Sequence, residues 1–320
     1  MERLYNRIIF MGTPDFAVHI LEEMLNARLN VVGIVTAPDK PAGRGQQMHY
    51  SAVKKAALHL GAPLLQPDNL KDPSFLDQLS AFNADLFVVV AFRMLPEAVW
   101  SMPPKGTINL HASLLPQYRG AAPINRAIMN GEIETGVTTF FIEREIDTGK
   151  IIEQRRIPIG RNETAGELHD RLMRLGAETT ISTVRKIFSD SAEGIDQSDL
   201  VHGMLSNAPK IFRKDCRINW KDSVAEVHNL IRGLCPYPAA WTELTYSPTG
   251  EKKNFKLFIA SVTDHKVDQA HILIESKEGI LFPCKDHYLL VREFQPEGKR
   301  RMNFKEFLAG NKLCDWTMNT

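Results

Sequence analysis

The chain has 320 residues, 43% of them apolar and 24% charged, with a formal net charge of +1. That length accommodates two ordinary domains, and that composition excludes a disordered, collagen-like or disulfide-stapled protein. A balance so close to neutral excludes a globally basic nucleic-acid binder. Residues 210–320 nevertheless hold 18 Lys and Arg against 14 Asp and Glu, a local excess of four.

Six residues precede the first apolar run, RIIFMG (7–12), which is too few for a signal or transit peptide. The longest apolar run, 86–92, is far too short to span a bilayer. Cys216, Cys235, Cys284 and Cys314 are too widely spaced for a metal motif. A soluble, cytoplasmic protein with reduced thiols and no metal is expected.

RIIFMG predicts a strand, and Phe16, Ile20, Met24 and Leu25 place a helix over 15–25. NVVGIVT (30–36) is a second strand, and Ser51 is a suitable N-cap for a helix over 51–60. DLFVVVAF (85–92) predicts a strand buried on both faces, and GTINLH (106–111) another. Strands separated by helices imply right-handed crossovers and an open, mostly parallel sheet of Rossmann-like α/β type. Such a sheet binds ligands outside the carboxyl ends of its strands. Strands at 135–142 and 151–159 and a helix at 168–188 complete an expected domain of residues 1–188. Residues 189–208 are polar and are expected to be a linker. Residues 209–320 change pattern: a helix at 224–232, then short apolar runs broken by turn residues, then a closing helix near 303–308. They predict a small C-terminal β-barrel domain, with the oligonucleotide-binding (OB-like) barrel as an analogy.

The first strand–helix turn, MGTPDF (11–16), has one Gly and lacks the G-x-G-x-x-G of dinucleotide sites. More chemistry lies in INLHASLLPQYRG (108–120). On a strand, Asn109 and His111 point to one face, and near its carboxyl end that face can open into a cleft. An amide donor beside an imidazole suits a reaction in which an oxyanion develops and a leaving nitrogen needs a proton. The N-x-H spacing alone does not separate this from a packed strand end. Asp147, in EREIDTGKII (143–152), is likewise either a simple turn residue or a carboxylate that orients His111.

INLHASLLPQYRG resembles the signature of the folate-dependent formyltransferases. The resemblance implies a formyltransferase domain with catalytic roles for Asn109 and His111, a folate cleft lined by Ser113, Leu114, Leu115 and Pro116, and Asp147 as the third catalytic group. AFRMLP (91–96) resembles the pterin-binding segment of the family, with Arg93 and Leu95 as the matching positions, although the segment is one residue shorter than usual. PDKPAGRGQQ (38–47) reads on composition as a surface loop. It resembles the loop that tRNA-acting members carry over the acceptor end, which implies tRNA contacts for Lys40 and Arg44. Residues 208–245 resemble the start of the family's C-terminal domain, and Lys252, Lys253, Lys256, Lys299, Arg300 and Arg301 could form a stripe for phosphates. The expectations are therefore a monomeric enzyme using 10-formyltetrahydrofolate as donor and the amine of initiator methionyl-tRNA as acceptor. The rivals are a formyltransferase acting on a sugar-nucleotide amine, a formyltetrahydrofolate hydrolase, and a non-enzymatic RNA-binding protein.

Overall fold

A computed structural model describes residues 6–42, 47–201, 203–269 and 272–318. The chain divides into two compact units. The first comprises Met1–Gly120, Thr135–Ile157 and His169–Ala208, and the second Ala121–Glu134, Pro158–Leu168 and Pro209–Thr320.

The first unit opens with β1 (Ile8–Gly12), buried at every position, and α1 (Asp15–Asn26), whose Phe16, Ile20, Leu21 and Met24 face the core. Then come β2 (Val31–Val35) and a small antiparallel ladder of β3 (Lys40–Ala42) with β4 (Gln47–His49). Ser51 caps α2 (Ala52–Leu60) by accepting from the Lys54 amide, as its sequence position implies. Next are β5 (Leu64–Leu65), α3 (Pro73–Ala81), β6 (Leu86–Val90), the one-turn α4 (Glu97–Trp100) and β7 (Thr107–His111). A short β8 (Arg119–Gly120) precedes α5 (Pro123–Met129), which belongs to the second unit. β9 (Glu134–Phe141), β10 (Ile151–Pro158) and α6 (Ala165–Phe188) follow, and β11 (Asn207–Ala208) pairs in parallel with β8.

The main sheet runs β10-β9-β7-β6-β1-β2-β5. From β5 through β7 every neighbouring pair is parallel, whereas β9 lies antiparallel on β7. The expected mostly parallel α/β sheet is thus present with a reversal at one side. Ile9, Met11, Phe87 and Val89 pack on Phe75, Leu79 and Val99. Each such side chain, once buried, contributes about 1.5–3 kcal/mol. The polar stretch expected as a linker, 189–208, lies in the first unit, where Ile195 and Ile151 exchange backbone hydrogen bonds of 2.8 Å.

In the second unit the expected small β domain is an antiparallel half-barrel. Its helix α7 (Val224–Leu234) is opened by a capping box of Ser223 and Glu226. The strands are β12 (Ala240–Tyr246), β13 (Glu251–Lys266), β14 (Ile274–Glu275), β15 (Ile280–Pro283), β16 (His287–Pro296), β17 (Met302–Asn303) and β18 (Trp316–Met318). They run β14-β15-β16-β13-β12-β18, with β17 on β16 and a short α8 (Phe304–Leu308) beyond it. Val227, Ile231 and Leu234 of α7 share one core with Phe255, Leu257, Leu289 and Val291. Phe255, Phe294, Phe307 and Trp316 fill its end, edge to face at 5.1 Å in two of the pairs. No helix among the described residues is long and apolar enough to cross a membrane.

His228 on α7 is buried, 5% exposed. Burial, reinforced by the Arg232 charge, lowers its pKa from 6.5 to about 4. The unfolded chain therefore binds this proton at a higher pH than the folded one. Stability is fully present above pH 6.5 and falls as the pH drops towards 4, by about 3 kcal/mol across that window. In urea unfolding measured over a pH series, His228→Gln should flatten this loss between pH 6.5 and 4. An unchanged slope in the variant would contradict the assignment.

Candidate active site

Asn109 and His111 occupy the carboxyl end of β7, as their two-residue spacing implies. The backbone of Asn109 is fixed on both sides, and that of His111 on one. Asn109 is opposite Val89 in parallel β6 and Phe140 in antiparallel β9, and His111 is opposite Thr138. The Asn109 side chain is half-buried and has no hydrogen-bond partner among the described residues. It is an amide held on rigid backbone with its donors unspent. Preorganised donors of this kind stabilise a developing oxyanion without reorganisation cost.

His111 is 7% exposed. Its Nε2 lies 2.8 Å from the Tyr118 carbonyl, to which a protonated Nε2 donates, and this contact fixes the ring plane. Its Nδ1 faces Asp147 Oδ2 at 3.8 Å, an ion pair when the ring is charged. Asp147 Oδ2 also accepts from the Gly120 amide at 3.0 Å. Two of the three groups named from the sequence, His111 and Asp147, are therefore brought together, with Asn109 two residues back along the same strand. Asp147 arrives by an unexpected route, however. The chain leaves β9 beside the start of β7, where the Ile142 amide donates to the Thr107 carbonyl at 2.7 Å. Because β9 is antiparallel, the loop 142–149 must run back along β7 to reach His111. Asp147 takes a left-handed backbone with φ 56°, which Asp tolerates better than most residues. Gly149 is forced by space, since a Cβ there would lie 1.8 Å from the Phe141 carbonyl oxygen.

Behind these groups, the turn 113–118 is held by buried hydrogen bonds. Thr138 Oγ1 donates to the Ser113 carbonyl at 2.7 Å and accepts from the Leu115 amide at 3.1 Å. Gln154 Nε2 donates to the Leu115 carbonyl at 2.7 Å and to Thr138 Oγ1 at 2.9 Å. Ser113 Oγ donates to the Gln117 carbonyl at 2.6 Å. Leu115 is buried against Phe140 and Ile151, Leu114 lies over Gly136, and the peptide before Pro116 is cis. Thr138 and Gln154 carry no sequence motif and were missed by sequence reasoning. Thr138 is a hydroxyl in a strand buried at six of its eight positions, a signal that could have pointed to it, whereas Gln154 sits among Glu153, Arg155 and Arg156 and gives none.

The segment after β6 uses its side chains internally. Arg93 donates to the carbonyls of Pro67 and Asp68, the latter at 2.9 Å, and Leu95 is buried in the core of the first unit. Lys40 is exposed on β3, and Arg44 lies outside the described residues. At the base of that ladder Asp39 is ion-paired with Lys54 and hydrogen-bonded by Gln66 at 3.0 Å, and these contacts hold its carboxyl below the usual range. Burial raises the Cys216, Cys235 and Cys284 thiols, the last to about 12, which removes them as nucleophiles at neutral pH. Among the described residues no three His, Cys, Asp or Glu side chains gather to hold a metal ion.

Replacing Thr138 by Val keeps the shape and strands the Ser113 carbonyl and the Leu115 amide. The expected loss is about 1–3 kcal/mol in urea unfolding. Stability equal to that of the wild type would show that the turn does not depend on this hydroxyl.

Comparison with known proteins extends this geometry to a family. Residues 6–184 match the family model described as formyl transferase, and residues 210–312 match the formyl transferase C-terminal domain. The methionyl-tRNA formyltransferase of Bacteroides thetaiotaomicron is 50% identical, over 97% of this chain and 97% of its own. That of Flavobacterium johnsoniae is also 50% identical, over 98% of each chain. Among solved structures, an N-formyltransferase from Helicobacter canadensis in complex with folinic acid and dTDP-3-aminofucose has a TM-score of 0.64 at 19% identity. That likeness spans 92% of this chain and 99% of that one. HypX from Aquifex aeolicus, in complex with tetrahydrofolic acid, has the same TM-score at 16% identity, over 94% of this chain and 46% of its own. These two are likenesses of fold. With both of its domains matched and half of its residues shared with curated members, the chain belongs to the formyl transferase family.

Proposed function

We propose that this enzyme transfers the formyl group of 10-formyltetrahydrofolate to the free α-amine of initiator methionyl-tRNA, its half-identical relatives being named for methionyl-tRNA. The observation that carries this reading is the unspent Asn109 amide beside His111, with Asp147 behind the ring. In the reaction the amine nitrogen forms a bond to the formyl carbon and the carbonyl oxygen becomes an oxyanion. The bond from that carbon to folate N10 then breaks, and the proton lost by the amine ends on N10. Asn109 and a charged His111 stabilise the oxyanion, while Asp147 stabilises the charged ring and thereby assists the proton's passage.

The turn Ser113–Pro116 forms one wall for the folate. Arg93 and Leu95 serve the other wall from behind, by holding the backbone of 91–96 in place. Lys40 and Arg44 contact the acceptor end of the tRNA as positional charges. In this reading the first unit, with the stretch 189–208 as part of it, carries the chemistry. Residues 209–320 bind the tRNA, and the enzyme works as a cytoplasmic monomer.

Radiolabelled formyl transfer to charged initiator tRNA tests the proposal, with a sugar-nucleotide amine and water as control acceptors. Asn109→Ala should lower kcat/KM for the tRNA by about 10²–10³-fold, as expected for one oxyanion donor. Near-full activity in Asn109→Ala or Asp147→Asn would remove that residue from the machinery. Arg44→Ala should weaken transfer to tRNA and leave folate binding intact. Equal loss of both would overturn the loop's role.

A further inference from the structure

Gln197 lies in the polar stretch 189–208, yet it is among the most buried polar side chains of the first unit, 3% exposed. Its amide is fully used. Nε2 donates to the carbonyls of Asp147 at 2.9 Å and Gly149 at 2.8 Å. Oε1 accepts from Arg119 Nε at 3.0 Å and Nη2 at 2.5 Å. One glutamine therefore joins the loop that carries Asp147 to the end of the turn that carries the His111 acceptor, Tyr118, and the Asp147 donor, Gly120.

The loop of Asp147 has no regular structure to fix it at this point, and the other segment has only the two-residue β8. Asp147 sits in the left-handed region, and its loop has run back along β7 without ladder hydrogen bonds. The strap 195–208 supplies what the sheet does not. It pairs Ile195 with Ile151, accepts the Tyr118 amide at the Ser206 carbonyl at 2.7 Å, and lays β11 beside β8. The Gln117 side chain adds a clamp, accepting from the Ser206 amide at 2.8 Å and donating to the Met204 carbonyl at 3.2 Å. Gly120 fits beneath it because a Cβ there would lie 2.6 Å from the Ala208 carbonyl oxygen.

We infer that Gln197 is a positioning residue for formyl transfer, setting the distance from Asp147 to His111 while touching neither substrate. This rests on the reading of Asp147 given under the proposed function. The test is a double-mutant cycle on the full chain, with formyl transfer to charged initiator tRNA as readout and thermal unfolding as a check on folding. Gln197→Ala should lower kcat about 10–100-fold, the scale of a roughly 1 Å misplacement, with KM for the formyl donor little changed. Asp147→Asn combined with Gln197→Ala should be no slower than Asp147→Asn alone, because both act through one carboxylate. Should Gln197→Ala unfold, Gln197→Glu takes its place. It keeps the acceptor for Arg119, loses both donors, and is expected to be equally slow. A folded Gln197 variant with wild-type kcat overturns the inference, as do losses that multiply in the double variant. If Asp147→Asn itself keeps full activity, the catalytic reading fails and takes this one with it. If Asp147→Asn is slow and the Gln197 variant is not, only the inference fails.

Discussion

The candidate site depends on one strand being paired on both sides. β7 has parallel β6 along one edge and antiparallel β9 along the other, so the backbone of Asn109 is held from both edges and that of His111 by β9, one residue beyond the last β6 pair. Hydrogen bonds of a ladder inside a buried sheet are costly to break, because the freed groups find no water. Placing reactive side chains on such a strand converts backbone rigidity into fixed chemistry.

Around that strand the polar groups fall into two kinds. Thr138, Gln154, Ser113 and Gln197 are satisfied within the protein, each by named partners. The Asn109 amide is not. In a low-dielectric setting a satisfied network is stiff. The fold spends these hydrogen bonds on holding the loops still, and the half-buried Asn109 amide stays outside that network.

Much of this was legible in the chain. Apolar periodicity placed β1, α1, β6, β7 and α7 close to their observed bounds, and Ser51 marked the start of α2. Asp72-Pro73, a capping acid followed by proline at N1, announces α3 as clearly. The reversal at β9 was not legible, since strand direction depends on tertiary pairing and leaves no mark on local pattern. The role of Gln197 was hidden for a related reason. Its surroundings in sequence, polar and containing Gly, signal an exposed connection, and only a distant loop with unpaired carbonyls makes burying a glutamine worthwhile.

The interleaving of the two units has a consequence for how this chain can be rearranged. The helix α5, from residues 121–134, sits on α7, where the Asn125 amide donates to the Gly233 carbonyl at 2.7 Å and Gly233 leaves no room beside Met129 for a side chain. Residues 158–168 add Gly166, whose amide donates to the Cys235 carbonyl at 3.0 Å. Swapping the C-terminal half for a foreign one at a single crossover near residue 208 would therefore leave these two segments facing a stranger. A functional chimera would have to inherit all three pieces together, so the C-terminal half of this chain is not a detachable cassette.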